Sequence, residues 1–108
     1  MGLRNFYEKT TKVFKIELKY NGITPDLVND TVSIIFKKRK GDLDSIAVLV
    51  KDADVVAEGI NGIAIFTLTP EETTLDPGTY FYEIKWITVD SFNIVESNNI
   101  EVLDRIYD

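Results

Sequence analysis

Polar and apolar residues alternate through most of the chain with a period of two, the spacing that puts successive side chains on opposite faces of a pleated strand. Over residues 13–20, Phe14, Ile16, Leu18 and Tyr20 fall on one face and Lys15, Glu17 and Lys19 on the other. That pattern predicts a half-buried strand, closed by Asn21-Gly22, a pair that tolerates positive φ. A second strand is predicted over 31–38, with Val32, Ile34 and Phe36 inward and Ser33, Ile35 and Lys37 opposite. Residues 45–51 are apolar on both faces, Ile46, Val48 and Val50 against Ala47 and Leu49, so that strand is expected to be central or covered.

A short segment at 55–57 precedes the Asn61-Gly62 turn, after which Ala64, Phe66 and Leu68 alternate with Ile63, Ile65 and Thr67 over 63–69. Thr69-Pro70-Glu71-Glu72 then carries the elements of a helix start. Thr69 suits the N-cap, Pro70 is preset for the first helical position, and Glu72 can reach back to complete a capping box. One short helical turn is predicted there, between the fifth and sixth strands, stopped by Leu75-Asp76-Pro77-Gly78. Over 80–87, Tyr80, Tyr82, Ile84 and Trp86 alternate with Phe81, Glu83, Lys85 and Ile87, the most regular strand of the chain. The last strand is predicted in two pieces, 92–95 and 100–103, broken around Asn98-Asn99.

About seven strands, turn signals roughly every ten residues and no helical run long enough for a crossover predict an all-β domain with antiparallel pairing. The segment Leu75-Asp76-Pro77-Gly78-Thr79-Tyr80 resembles the tyrosine corner at the start of the sixth strand of Greek-key sandwiches, where the ring enters the core and the hydroxyl bonds the backbone across the corner. Trp86 shares the face of Tyr80 and Tyr82 and is expected to fill the space between sheets. The fold expected is an immunoglobulin-like antiparallel β-sandwich, with Leu75, Pro77, Gly78, Tyr80 and Trp86 as its structural corner.

Length limits this to one domain over residues 1–108, with residues 1–10 and 104–108 as ends that are loosely held or docked on a neighbour. Hydrophobic residues at 44% and charged residues at 28% suit a chain that folds by itself, and with no cysteine it must do so by packing alone. The opening Met-Gly-Leu-Arg-Asn-Phe has no apolar signal core, and Phe6 occupies the Ser/Thr slot of a myristoylation signal. The longest apolar runs fall far short of the roughly 20 residues that span a bilayer. No membrane association is expected. A net charge of -6 argues against general nucleic-acid binding, which draws most of its affinity from Lys and Arg on phosphates.

Histidine and cysteine are both absent, which removes the usual general base, the thiol nucleophile and the commonest transition-metal ligands. The carboxylate pairs Asp42 with Asp44, Asp52 with Asp54 and Glu71 with Glu72 fall in predicted turns and read as solvated side chains rather than a glycosidase pair. Asp52 and Asp54, joined by Glu58 or Asp30, offer oxygen ligands for a loop calcium, but lack the fixed glycine and distant bidentate glutamate of a calcium loop. No catalytic, cofactor-binding or metal-binding residue is assigned, and no enzyme is expected. Lys37-Lys38-Arg39-Lys40 is a concentrated basic patch that either contacts an acidic partner or blunts an exposed strand end. Phe81 and Ile87, with Ile35 on another strand, are apolar residues predicted on outward faces. They either form a subunit contact or lie under a loop or the amino-terminal segment.

The layout resembles the Ig-like domains of tailed-phage virion proteins, in particular the amino-terminal domain of the phage baseplate upper protein family. The likeness is carried by Lys12-Val13-Phe14-Lys15-Ile16, by Asp26-Leu27-Val28-Asn29-Asp30-Thr31-Val32 and by Gly62-Ile63-Ala64-Ile65-Phe66-Thr67-Leu68-Thr69-Pro70-Glu71. It closes with Leu75-Asp76-Pro77-Gly78-Thr79-Tyr80-Phe81-Tyr82-Glu83-Ile84 and covers nearly the whole chain, without the carboxy-terminal region such proteins usually carry. The resemblance implies a non-enzymatic module of a phage or prophage particle, in baseplate, tail or head. Such a protein is made in the bacterial cytoplasm, ends up in the virion, and contacts other virion proteins and further copies of itself. The alternative expectation is a carbohydrate- or ligand-binding sandwich module of a surface protein, with Tyr7, Tyr20 or Phe92 stacking on sugar.

Overall fold

The structure is a computed structural model that describes residues 5–19, 22–39, 41–43 and 46–103. Expectations placed on Tyr20, Asn21, Lys40, Asp44, Ser45, residues 1–4 and residues 104–108 lie outside the described residues. Alternating sequence becomes strand in β1 (Phe6–Tyr7), β2 (Lys12–Glu17), β3 (Thr31–Lys37), β4 (Leu49–Asp52), β5 (Ile63–Leu68), β6 (Gly78–Ile87) and β7 (Phe92–Leu103). A five-stranded sheet runs in the order β1-β7-β6-β3-β4, and β2 pairs with β5 in a separate antiparallel ladder. The chain is all-β. The larger sheet is mixed, because β1 lies parallel to β7 while its other pairs are antiparallel. Beyond Asp52 the chain leaves that sheet, and Asp54 exchanges backbone hydrogen bonds of 2.8 and 3.0 Å with Ile65 of β5, so the sheet curls onto the ladder along one side.

The faces that alternation marks as apolar are the buried ones. Phe14 and Ile16 of β2 and Ala64, Phe66 and Leu68 of β5 meet Val32, Ile34 and Phe36 of β3, Tyr80, Tyr82, Ile84 and Trp86 of β6, and Ile100 and Val102 of β7 in one cluster. Phe6 joins it from β1, its ring 6.0 Å from Phe36 and 6.2 Å from Phe14. Leu27, fully buried from the loop before β3, closes the end near Gly59. Gly62 sits at φ 74°, where an added Cβ would lie 2.9 Å from Thr24 Cγ2 and 3.0 Å from the Leu18 carbonyl, so this turn requires glycine.

Local expectations are corrected at several places. The two-faced apolar run 45–51 supplies only the short edge strand β4, in which Val50 is exposed and Leu49 and the preceding Val48 pack half-buried against the core. One apolar face of the run is left largely uncovered, with Ile46 and Val50 both exposed, because β4 pairs only with β3 and just its Leu49 side packs against the core. Segment 55–57 forms no strand, and β1 takes a place for which no strand was expected. Strand β7 is continuous through Asn98 and Asn99, which pair with Tyr82 and Phe81, because a ladder bonds through the backbone whatever the side chain. Its irregularity lies instead near Val95, where the register with β6 shifts. A 3-10 turn, Gly59–Asn61, precedes β5.

Between β5 and β6 there is a hydrogen-bonded turn in place of the expected helical one. Its capping box is complete: the Thr69 amide donates to Glu72 Oε1 at 3.0 Å and the Glu72 amide to Thr69 Oγ1 at 3.2 Å. Backbone bonds from the Thr73 amide to the Thr69 carbonyl and from the Thr74 amide to the Glu71 carbonyl close the turn. Pro77 has no amide to continue it, and a residue before proline, here Asp76, is disfavoured in helical backbone. Buried Thr73 then ties this turn to the chain before β2, its Oγ1 accepting from the Thr10 amide at 2.9 Å and lying 2.6 Å from the Thr10 carbonyl.

Candidate functional site

The outward face of the five-stranded sheet carries the residues that the sequence marked as a contact surface, and its register decides which of them are accessible. Lys37 pairs with Phe81, and Ile35 with Glu83, so these four side chains occupy the corners of one cell of the β3–β6 ladder. The Lys37 ammonium meets Glu83 Oε1 at 2.7 Å along one diagonal, and Ile35 and Phe81 occupy the other. The ion pair thus lies across the two apolar residues. Ile35 is 5% exposed and Phe81 9%. The expectation that Ile35 and Phe81 form wet apolar surface is corrected: long polar neighbours cover them within the chain. Lys37 is likewise buried, at 5%, and belongs to this pair rather than to a free basic patch. Lys38 and Arg39 are exposed in the turn after β3, where the Arg39 amide donates to Asp42 Oδ2 at 3.2 Å, while Lys40 lies outside the described residues.

At the other end of the same face the cover thins. Ile87 is half-exposed and pairs with Phe92, which is 57% exposed, and Ile94, opposite Lys85, is 52% exposed. The Lys85 ammonium stands 5.4 Å from the centre of the Phe92 ring, a cation–π distance. Val95, at the register shift, adds another partly exposed apolar side chain. Lys85 itself is buried, and Ser33 beside it donates to Asp52 Oδ1 at 2.6 Å. Sequence reasoning missed Phe92, Ile94 and Val95 as a patch because a broken terminal strand was expected there; their alternation with Asn93 was the available signal.

The corner residues are brought together at the start of β6. Gly78 opens the strand at φ 149°, a backbone that residues with a Cβ rarely adopt, and Leu75 packs half-buried against the core. The Tyr80 hydroxyl donates to the Asp76 carbonyl at 2.6 Å, and burial, reinforced by the Asp76 charge, pushes the phenol's pKa up. Pro77 is exposed on the outside of the bend. Trp86 is buried in the core at the far end of the same face and donates from Nε1 to Asp30 Oδ2 at 2.8 Å. Its edge lines an open depression of about 300 Å³ with Thr88, Ser91 and Asn93. The polar groups of that depression bond one another, the Thr88 and Ser91 hydroxyls lying 2.8 Å apart and Asn93 Nδ2 donating to Ser91 Oγ at 3.2 Å.

The acidic residues do not converge. Asp30 holds Trp86, Asp52 holds Ser33, Asp54 accepts from the Val56 and Ala57 amides, and Glu58 pairs with Lys15. Among the described residues no three carboxylates are grouped to hold a metal ion. Glu72 completes its capping box and pairs with Lys51 at 3.0 Å, and the Thr69 amide and the Lys51 ammonium together hold its carboxyl below the usual carboxylate range. Of the aromatics considered for sugar stacking, Tyr7 sits beside Leu103 at one end of β7 and Phe92 at the other, about 35 Å apart at the rise of an extended strand. They cannot share one ligand. No helix among the described residues is long and apolar enough to cross a membrane. Set beside known proteins, the chain matches no family model and no curated protein.

Proposed function

We propose that the chain is an immunoglobulin-like sandwich module that serves in the assembly of a phage or prophage particle, acting through protein contacts and without catalysis. Strand order supports the fold part of this reading. The pairing of β2 with β5, and the adjacency of β3, β6 and β7 in the larger sheet, are what a B–E pair and a C–F–G sheet of such a sandwich would give. The hydroxyl-to-backbone bond of Tyr80 at the entry to the sixth strand fits the same plan.

The observation that carries the functional part is the exposed apolar run Ile87, Phe92, Ile94 and Val95 at one end of the sheet, together with the resemblance to virion Ig-like domains. A binding module for small polar ligands would gather polar groups free to receive them, and in the depression beside Trp86 those groups are already bonded to one another. The test is where the gene lies and where the protein goes. Flanking genes should encode tail, portal or capsid proteins, and mass spectrometry of purified particles should recover this chain. Flanking genes for secreted carbohydrate-active proteins, with specific binding on a glycan array, would overturn the reading.

A further inference from the structure

The backbone of β7 is paired along one side only for most of its length. β6 accompanies it from Phe92 to Val102, but β1 covers only Val102 and Leu103 on the other side. Successive residues of a strand turn their amide and carbonyl groups to opposite edges, so the direction of each can be read from a few bonds. The Glu101 amide donates to Asn5 Oδ1 on the β1 side, which sets Asn99 and Ser97 to that side as well. The Thr88 amide donates to the Ser91 carbonyl on the β6 side, and Asn93 pairs with Trp86, so Phe92 and Ile94 also face away from β6. Asn99 is satisfied locally, its amide donating to Asn98 Oδ1 at 2.8 Å. Phe92, Ile94 and Ser97 are left with outward-pointing backbone groups that bond nothing among the described residues.

We propose that this edge of β7, residues 92–97, pairs with the same edge of a second copy of the chain in an antiparallel seam. Three observations select that occupant. The groups on offer are a row of amides and carbonyls, and their complement is another strand. The segment Phe92-Asn93-Ile94-Val95-Glu96-Ser97 has neither the lysines nor the prolines that block edge pairing, and the register shift at Val95 is its one irregularity. Its one charge, Glu96, accepts from the Tyr82 hydroxyl at 2.6 Å and is engaged on the β6 side. In a chain of net charge -6 this is an edge where two copies meet without opposing like charges, and the seam would cover the exposed Phe92, Ile94 and Val95. Of the other edges, β4 is shorter and carries Lys51 and Asp52, and β2, paired only with β5, carries Lys12 and Lys15. So short a seam gives weak association that rises with concentration, and added salt should strengthen it by screening two acidic molecules.

The proposal rests on the reading that the chain works through protein contacts, and its test separates the two. Sedimentation equilibrium over a concentration series is run on the whole chain and on Ser97→Pro and Ile94→Lys. Proline at 97 removes an amide that no β6 residue uses, and lysine at 94 places a charge beside the seam, so neither change touches the core. A dimer in the parent, absent from both variants at unchanged circular dichroism and melting temperature, is the expected result. It should be accompanied by amide exchange slowed at Phe92, Ile94 and Ser97 in the concentrated parent alone. A parent that stays monomeric at every concentration, or a dimer that survives both substitutions, overturns the seam. Even then, recovery of the chain from purified particles would leave the assembly role standing.

Discussion

Two side chains show how a single group can matter through what it holds in place. Tyr80 contributes a buried ring and a hydroxyl bonded to the Asp76 carbonyl, and these separate by mutation. Tyr80→Phe removes a neutral hydrogen bond and should cost about 1 kcal/mol, whereas Tyr80→Ala empties a core site and should cost about 3 kcal/mol or more in urea unfolding. Equal losses would mean the ring does not anchor the corner. Lys37 and Glu83 present the opposite problem, a charged pair largely removed from water across Ile35 and Phe81. Lys37→Met alone leaves a carboxylate without its partner and should cost about 3 kcal/mol, while Lys37→Met combined with Glu83→Leu should recover most of it, since two apolar side chains suit that cell as well. A double variant no more stable than the single one would show that the pair itself, rather than its burial, is what the sheet needs. Tyr80 was legible from Pro-Gly-x-Tyr before an alternating strand. The pairing of Lys37 was not, because only cross-strand register puts Glu83 on its diagonal.

At the scale of elements, the turn between β5 and β6 links local chemistry to pH. Glu72 takes the Thr69 amide and the Lys51 ammonium, both of which favour its ionised form, so its folded pKa lies below the ordinary 4.5. A depressed carboxyl pKa adds stability that is complete above the unfolded value and is lost as pH falls through the folded one. Thermal melts should therefore show the parent losing stability on acidification below pH 4.5, while Glu72→Gln, already lacking the charge, loses less over that range. At neutral pH the same change should cost about 1 kcal/mol, the usual worth of a cap. An identical acid response in both proteins would remove Glu72 from the account. The capping box was readable from Thr69-Pro70-Glu71-Glu72, because its partners lie within one turn. That no helix follows depends on Pro77 and on the bonds of Thr73 to Thr10, and Thr10 lies far away in sequence.

For the whole molecule, the consequence of one shared core is that its ends depend on each other. Phe6 is the clearest case: it belongs to a two-residue strand, yet it packs on Phe14 and Phe36 while its backbone aligns with Val102 near the other end. Phe6→Ala should cost about 3 to 5 kcal/mol and lower the midpoint of a single cooperative unfolding transition. Loss of a separate early transition, with the main one unmoved, would show that β1 is an appendage. The exposed end of the sheet at Ile87, Phe92 and Ile94 is defined on this scale too, since it lies where the cover given by Lys37 and Glu83 runs out.

The period-two alternation by itself determined that the chain is all-β and which face of each main strand turns inward, because burial of alternate side chains is a local property of an extended backbone. Turn glycines, the capping box and the tyrosine corner were local in the same sense. Tertiary structure alone decided that β1 runs parallel to β7, that β4 is an edge, that Ile35 and Phe81 are covered, and that β1 reaches only the last two residues of β7, leaving the outer side of 92–97 without a strand among the described residues. Each of these depends on which strands are neighbours and in what register, and those pairings join residues far apart in sequence, beyond the reach of any local pattern.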